Sequence, residues 1–303
     1  MSDSAVFVAL PNRGLLKIAG PDARTYLQGL VSQDVKRVTA DRAVYSAFLT
    51  PQGKYLYDFF VFEMDGALVL DCEADRRSDF FKRLSMYKLR SDVTLSDVSE
   101  DYQVYGVLDT MGLSERGAAK SLGTGTSMGV VYADPRLLDM GCRAVLPQGN
   151  TVPLESAGLG AGTFDAYEHH RIALGLADGS RDMGVDKALL LEFGFEELDG
   201  VSFSKGCFMG QELTARTRYR GLVKKRLLPV KIDGPAPAPG TVLEIDGREV
   251  GEMKTSAGDV GLALIRIESL GDNLGKDVSY ACADATLTPT VPGWLVFQNQ
   301  ENK

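Results

Sequence analysis

Lys205, Cys207, Gln211 and Glu212 fall within eight positions, separated only by Gly206, Phe208, Met209 and Gly210. An amine, a thiol, an amide and a carboxylate so close together exceed what an ordinary turn requires. The thiolate is the form of cysteine that attacks electrophiles and binds metals. Gln211–Tyr219 has no helix breaker and is predicted helical, so Cys207 and Gly210 stand at its entrance, where backbone N–H groups attract anions. Those amides, with the Lys205 ammonium two residues away, would favour the thiolate. Against this stands the bland reading of a cysteine as a small buried hydrophobe. Lys205, Gln211 and Glu212 are poor neighbours for a core position. Immediately beyond, Arg216, Arg218, Arg220, Lys224, Lys225 and Arg226 put six cations into eleven positions. They form either a solvated helix face or an anion site for a carboxylate tail or phosphate.

The rest of the chain must hold this stretch in place. Its 303 residues suffice for a sizeable core in two or three domains. The net charge of −8 argues against general nucleic-acid binding. The four cysteines are widely spaced, which disfavours a disulfide framework. No apolar run approaches the roughly 20 residues that span a bilayer, so no membrane partner is expected. Met1–Val6 has neither a basic signal-peptide start nor an Arg-rich transit pattern, and a cytoplasmic location is expected.

Along the chain, Val6–Leu10 and Leu15–Ile18 read as strands, and Pro21 opens a helix. Tyr55–Glu63 is a long aromatic strand that turns at Asp65-Gly66 into Ala67–Cys72. Asp58 lies inside it, and its carboxylate must meet water, a partner or a ligand. Ala74–Tyr87 is an amphipathic helix. Residues 110–128 read as a short helix and loop, and 149–162 as a loop. Thr163 caps a helix carrying His169 and His170, which point about 100° apart and cannot easily share a metal. From 227 onward, short apolar runs separated by turns predict a small barrel.

Lys205-Gly-Cys-Phe-Met-Gly-Gln-Glu212 resembles the K-G-C-Y-x-G-Q-E signature of the YgfZ family of folate-binding proteins, relatives of the glycine cleavage T-protein. Phe208 stands where the family has tyrosine. Tyr26–Val35 is similar to the family's F-L-Q-G-x-x-T-N/Q-D run. Tyr167–Gly175 resembles its R-x-x-x-G element, in the form of the branch that holds the mitochondrial iron–sulfur assembly factor. The resemblance implies an α+β, T-protein-like fold with interleaved α/β modules around a central cleft and a C-terminal small β-barrel. The expected boundaries are 1–110, 111–226 and 227–303. It implies tetrahydrofolate or a derivative as cofactor, and a role supporting iron–sulfur cluster assembly or repair, including iron–sulfur-dependent tRNA modification. Partners would be folate and iron–sulfur client or assembly proteins, with direct tRNA contact a less favoured reading.

Under that resemblance Cys207, Lys205 and Asp58 carry the chemistry, Asp58 matching the second acid of the T-protein's G-G-x-x-D-D-x-x-V. Gly206, Gly210, Gln211, Glu212, Arg216 and Arg220 would contact the ligand. Glu192 is either the acid that pairs with a pterin edge or a surface glutamate. Two alternatives stand beside this reading. One is a folate-dependent aminomethyltransferase or demethylase-like one-carbon enzyme, to which the cysteine motif is foreign. The other is a non-catalytic adaptor without folate.

Overall fold

The computed structural model describes residues 5–123, 128–271 and 278–297. Residues 124–127 of the expected 110–128 loop, and the first four of the residues behind the cytoplasmic expectation, lie outside that range. The chain forms two compact units. The first takes residues up to 49, 56–167 and 199–209; the second takes 50–55, 168–198 and 210 onward.

In chain order the strands and helices begin with β1 (Val6–Ala9), β2 (Arg13–Ala19), α1 (Ala23–Gln28), β3 (Val44–Leu49), β4 (Tyr55–Met64), β5 (Ala67–Glu73) and α2 (Arg77–Met86). There follow β6 (Thr94–Asp97), β7 (Tyr102–Val107), β8 (Ala119–Leu122), β9 (Gly129–Ala133), β10 (Cys142–Pro147), α3 (Val152–Ser156), β11 (Gly160–Ala161) and α4 (Phe164–Ala173). In the first unit these strands make two sheets, ordered β3-β4-β5-β2-β6 and β11-β1-β7-β10-β9-β8.

Strand β4 explains how both faces of its sheet are covered. Successive side chains point to opposite faces. Tyr57, Phe59 and Val61 join the core with Tyr26 and Leu27 of α1 and Phe80 and Leu84 of α2. Phe62 faces the other way and stacks on Tyr132 of β9, centroid to centroid 5.2 Å. On that side lies a buried ionic layer. Asp71 accepts from Arg13 Nε at 2.7 Å, Arg143 Nε at 2.8 Å and Tyr132 Oη at 3.2 Å. Burial works to raise the Asp71 carboxyl, but Arg13 and Arg143 outweigh it and hold the group below its ordinary range. Three guanidiniums, those of Arg13, Arg136 and Arg143, approach the Phe60 ring at 5.7, 5.0 and 4.3 Å. Buried charges persist only when paired in this way.

The second unit adds α5 (Gly179–Asp182), α6 (Gln211–Tyr219), β12 (Lys225–Asp233), β13 (Val242–Ile245), β14 (Arg248–Ala257), β15 (Val260–Arg266), β16 (Tyr280–Cys282) and β17 (Ala285–Pro289). The last six close into a barrel, β12-β15-β14-β13-β16-β17, around Leu228, Val230, Leu243, Met253, Ile265 and Leu287. Arg171 of α4, 1% exposed, ties this barrel to residues 168–198. It forks onto Glu168 at 2.9 and 3.0 Å, reaches Asp182 at 3.0 Å and Leu176 O at 2.5 Å, and donates to Thr255 Oγ1 of β14 at 3.2 Å. Gly194, at φ +74°, lets the Trp294 ring come so close that a Cβ there would stand 2.6 Å from it.

Local readings depart from the structure in three places. The expected loop over 149–162 contains α3, because Pro153 sits in its first turn, where a missing N–H costs nothing. The expected short helix within 110–128 is instead β8, paired with β9. The end of the basic run is the start of a barrel strand: Lys225 and Arg226 pair with Arg266 and Ile265.

Candidate functional site

Residues 199–209 leave regular structure and are laced to 28–37 within the first unit. Ser32 Oγ donates to Gly200 O at 2.6 Å, and Ser202 N–H to Ser32 O at 3.0 Å. Gln33 Nε2 donates to Asp199 O at 2.6 Å, while Arg37 forks onto the Asp199 carboxylate at 3.0 and 2.7 Å. Met209 N–H closes the far end on Gly29 O at 3.1 Å. Gln28 accepts from Val35 N–H at 2.8 Å, and its Nε2 donates to Asp34 Oδ1 at 2.9 Å and, at 3.5 Å, to Lys205 O. The site-forming residues Gln28, Ser32, Gln33, Arg37 and Asp199 were not singled out from the sequence. The available signal was the Tyr26–Val35 run, whose polar residues prove to be the lacing.

Lys205 is the central stitch. Its Nζ donates to Val31 O at 2.6 Å and Gln33 O at 2.7 Å and lies 5.3 Å from the Phe208 ring centre. Two of its three donors are therefore engaged by carbonyls. No hydrogen bond joins it to Cys207 among the described residues. Its placement makes Lys205 a tie for the loop. Burial pushes the ammonium down to about 8, with Asp34 opposing.

A pH dependence follows. The free amine titrates near 10.5 and the folded one near 8. Between those values the unfolded chain holds more protons, so stability rises with pH. Lys205→Met removes that contribution. In urea titrations at pH 7.5 and pH 10, the stability of the parent relative to Lys205→Met should increase with pH. A flat or falling difference would show that burial does not set this group's titration.

On this tied loop the side chains sort by face. Phe208 is 7% exposed and Met209 packs against the core that includes Tyr57 and Phe80, whereas Gly206 and Cys207 face outward. Cys207 is exposed; Cys72, Cys142 and Cys282 are buried. Gly206, at φ +95°, makes the turn that lets Cys207 and Phe208 diverge. Gly210, at φ +78°, forms the N-cap of α6, whose first turn carries Gln211 and the exposed Glu212.

The remaining candidates scatter. Asp58 is 4% exposed and accepts from Tyr45 Oη at 2.9 Å, inside the ionic layer. Arg226 is buried, bonded to Leu191 O at 2.5 Å and to Glu197 at 2.8 Å. Arg218 is paired with Glu196 at 2.5 Å. Arg216 and Arg220 remain exposed.

A pterin needs an acceptor carboxylate with room beside it, and Asp58, enclosed and already bonded, does not fit. Glu192 fits better. It is partly buried, forms no ion pair among the described residues, and its carboxyl is raised by burial, with Lys225, Lys54 and Arg226 acting against that. No group of three metal-ligating side chains occurs among the described residues.

This architecture is that of the T-protein class. The solved structure of glycine cleavage system aminomethyltransferase T from Bartonella henselae superposes with a TM-score of 0.75, covering 96% of this chain and 86% of that one. At 14% identity the likeness concerns the fold alone. Residues 224–297 match the C-terminal beta-barrel domain of CAF17.

Sequence relatives are nearer. The mitochondrial iron–sulfur cluster assembly factor IBA57 of Mus musculus is 35% identical over 306 residues, covering 94% of this chain and 84% of its own. The Homo sapiens protein is 35% identical with the same coverage. The Mycosarcoma maydis homologue is 30% identical, covering 94% of this chain and 83% of its own. The chain belongs to the IBA57 family. The signature read above as YgfZ-like thus sits in an IBA57 relative. The cytoplasmic expectation is overturned, since these relatives are all named mitochondrial. It rested on a few residues at the start of the chain, which carry no information about the folded body.

Proposed function

We propose that this protein is an iron–sulfur cluster assembly factor that contributes a single thiolate, Cys207, to a cluster shared with a partner protein. Cys207 carries the reading: it is the one exposed thiol of four, held outward on a loop that Lys205 ties down. The names of the relatives support the assignment. Clusters of the common types take four protein ligands. With no group of three candidate ligands among the described residues, the remaining ligands must come from elsewhere. The thiol loses its proton on binding iron, and the chain's task is presentation and hand-over, not storage.

The test is anaerobic reconstitution of the full chain with ferrous iron and sulfide, using glutathione to supply the other ligands. A protein-bound visible chromophore should form, and Cys207→Ser should reduce it at least tenfold. In cells lacking the protein, Cys207→Ala should fail to restore iron–sulfur enzymes, including those that modify tRNA. Full restoration by that variant would end the proposal.

Glu192 favours a second ligand, a reduced folate bound in the second unit. Its carboxyl would receive the pterin N–H groups, with the exposed Arg216 and Arg220 available to the anionic tail. Calorimetry with tetrahydrofolate should give heat that Glu192→Gln removes. Saturation at 100 times the dissociation constant should add about 2.7 kcal/mol of stability. No heat at millimolar tetrahydrofolate would leave the cluster reading standing and remove the folate.

A further inference from the structure

We propose that the tip of α2, Met86–Arg90, is a docking surface for an acidic protein segment bearing an apolar anchor. Met86 is 73%, Tyr87 37% and Leu89 87% exposed. Apolar side chains scattered singly over a surface are ordinary, but three within four positions gather apolar surface at one tip. Leu89 also holds φ at +45°, the left-handed region that a bulky side chain avoids. Strain of this kind persists only where the surroundings impose it, and it concentrates at functional positions.

The surroundings do impose it. Tyr26 Oη donates to Leu84 O at 2.5 Å, and the Tyr87 ring meets Phe48 edge-on at 5.9 Å. Lys88 N–H donates to Ser85 O at 3.2 Å and Ser91 N–H to Lys88 O at 2.8 Å. The tip is preorganised, so a partner need not order it on binding.

Charge selects the occupant. Lys82, one helical turn before Met86, and Lys88 and Arg90 are exposed and form no ion pair among the described residues. This cationic end belongs to a chain of net charge −8. Beside it lies a shallow, open depression of about 580 Å³ lined by Asp22, Leu89, Arg90 and Ser91. A leucine or phenylalanine of a partner would rest against Leu89 there, with its neighbouring carboxylates reaching Lys88 and Arg90. Asp22 and the exposed Asp92, joined by the 2.8 Å bond from Asp92 N–H to Asp22 Oδ2, make one rim acidic, so the partner's carboxylates must lie toward Lys88 and Arg90 and away from that rim, a choice open to a peptide but not to a continuous anionic membrane. A standard interface covers about 800 Å² per partner, so five residues make a weak, salt-sensitive contact or one anchor of a larger one.

The full chain is titrated with three probes: an eight-residue peptide of glutamates around a Leu-Phe pair, the same peptide with lysines for glutamates, and phosphatidylserine vesicles. The acidic peptide should bind at least tenfold tighter than the basic one and weaken at least fivefold between 50 and 300 mM salt. Leu89→Ser and Arg90→Glu should each weaken it about tenfold, with unfolding midpoints unchanged because both side chains are exposed. Equal binding of the two peptides overturns the proposal, as do variants that bind like the parent. Vesicle binding that Leu89→Ser abolishes, without peptide discrimination, also overturns it and makes the tip a lipid contact.

Discussion

At pH 8, a limiting pulse of thiol alkylator should modify Cys207 at least roughly a thousandfold faster than Cys72, Cys142 or Cys282. Two effects multiply. The three slow thiols are 1%, 2% and 1% exposed, so reagent reaches them only when the surrounding structure opens. Burial also pushes Cys72 and Cys142 up to about 12 and raises Cys282. At pH 8 a thiol titrating near 12 is ionised only to about one part in ten thousand. Mass spectrometry of digests gives the order of labelling in one molecule, and guanidinium should bring the four rates together. Labelling of any buried cysteine within tenfold of Cys207 would mean that the Lys205-tied loop does not present its thiol as described.

Arg171→Met should destabilise the second unit by about 3–5 kcal/mol, the usual cost of stranding a buried charge partner. Asp182 is 1% exposed. It keeps Thr255 Oγ1 at 2.7 Å and Asp178 N–H at 2.8 Å but loses its guanidinium at 3.0 Å. Glu168 retains Arg181 at 2.7 Å, so Asp182 bears most of the loss. Arg171→Lys should recover little, because an ammonium cannot fork onto Glu168 while reaching both Leu176 O and Thr255. Urea unfolding followed through Trp294, whose Nε1 donates to Leu174 O at 2.8 Å, reports on this unit. A loss below 1 kcal/mol from Arg171→Met would show that the buried charges are separately solvated.

The α6 helix and the cysteine-bearing turn were legible because glycines, a helix-forming run and mixed polar chemistry occur in one short stretch. Most barrel strands were legible as short apolar runs between turns. The ionic layer was not, because Arg13, Asp71 and Arg143 are far apart in sequence and each reads singly as a surface charge. Asp58 raised the right question, what a carboxylate does in an aromatic strand. The answer, Tyr45, lies on the preceding strand β3, 13 residues away; the Thr50–Gly53 turn signals that neighbour, but not which of its side chains meets the carboxylate. The basic run is only partly neutralised. Arg226 and Arg218 are bonded to Glu197 and Glu196, and sequence spacing does not reveal which cations are neutralised.

The lacing of 199–209 onto 28–37 also orders events in time. Lys205 meets Val31 across 174 residues and Gln33 meets Asp199 across 166. Contacts that distant form late, since the loop they close must be shortened by intervening structure before they repay its entropy. During synthesis, α1 and β3–β5 are made long before Lys205 emerges, and domains tend to fold from the N-terminus. The Val31 and Gln33 carbonyls therefore wait for their Lys205 donor until the segment arrives. The thiol is set in place only on a nearly finished body, so an immature chain has no ordered Cys207.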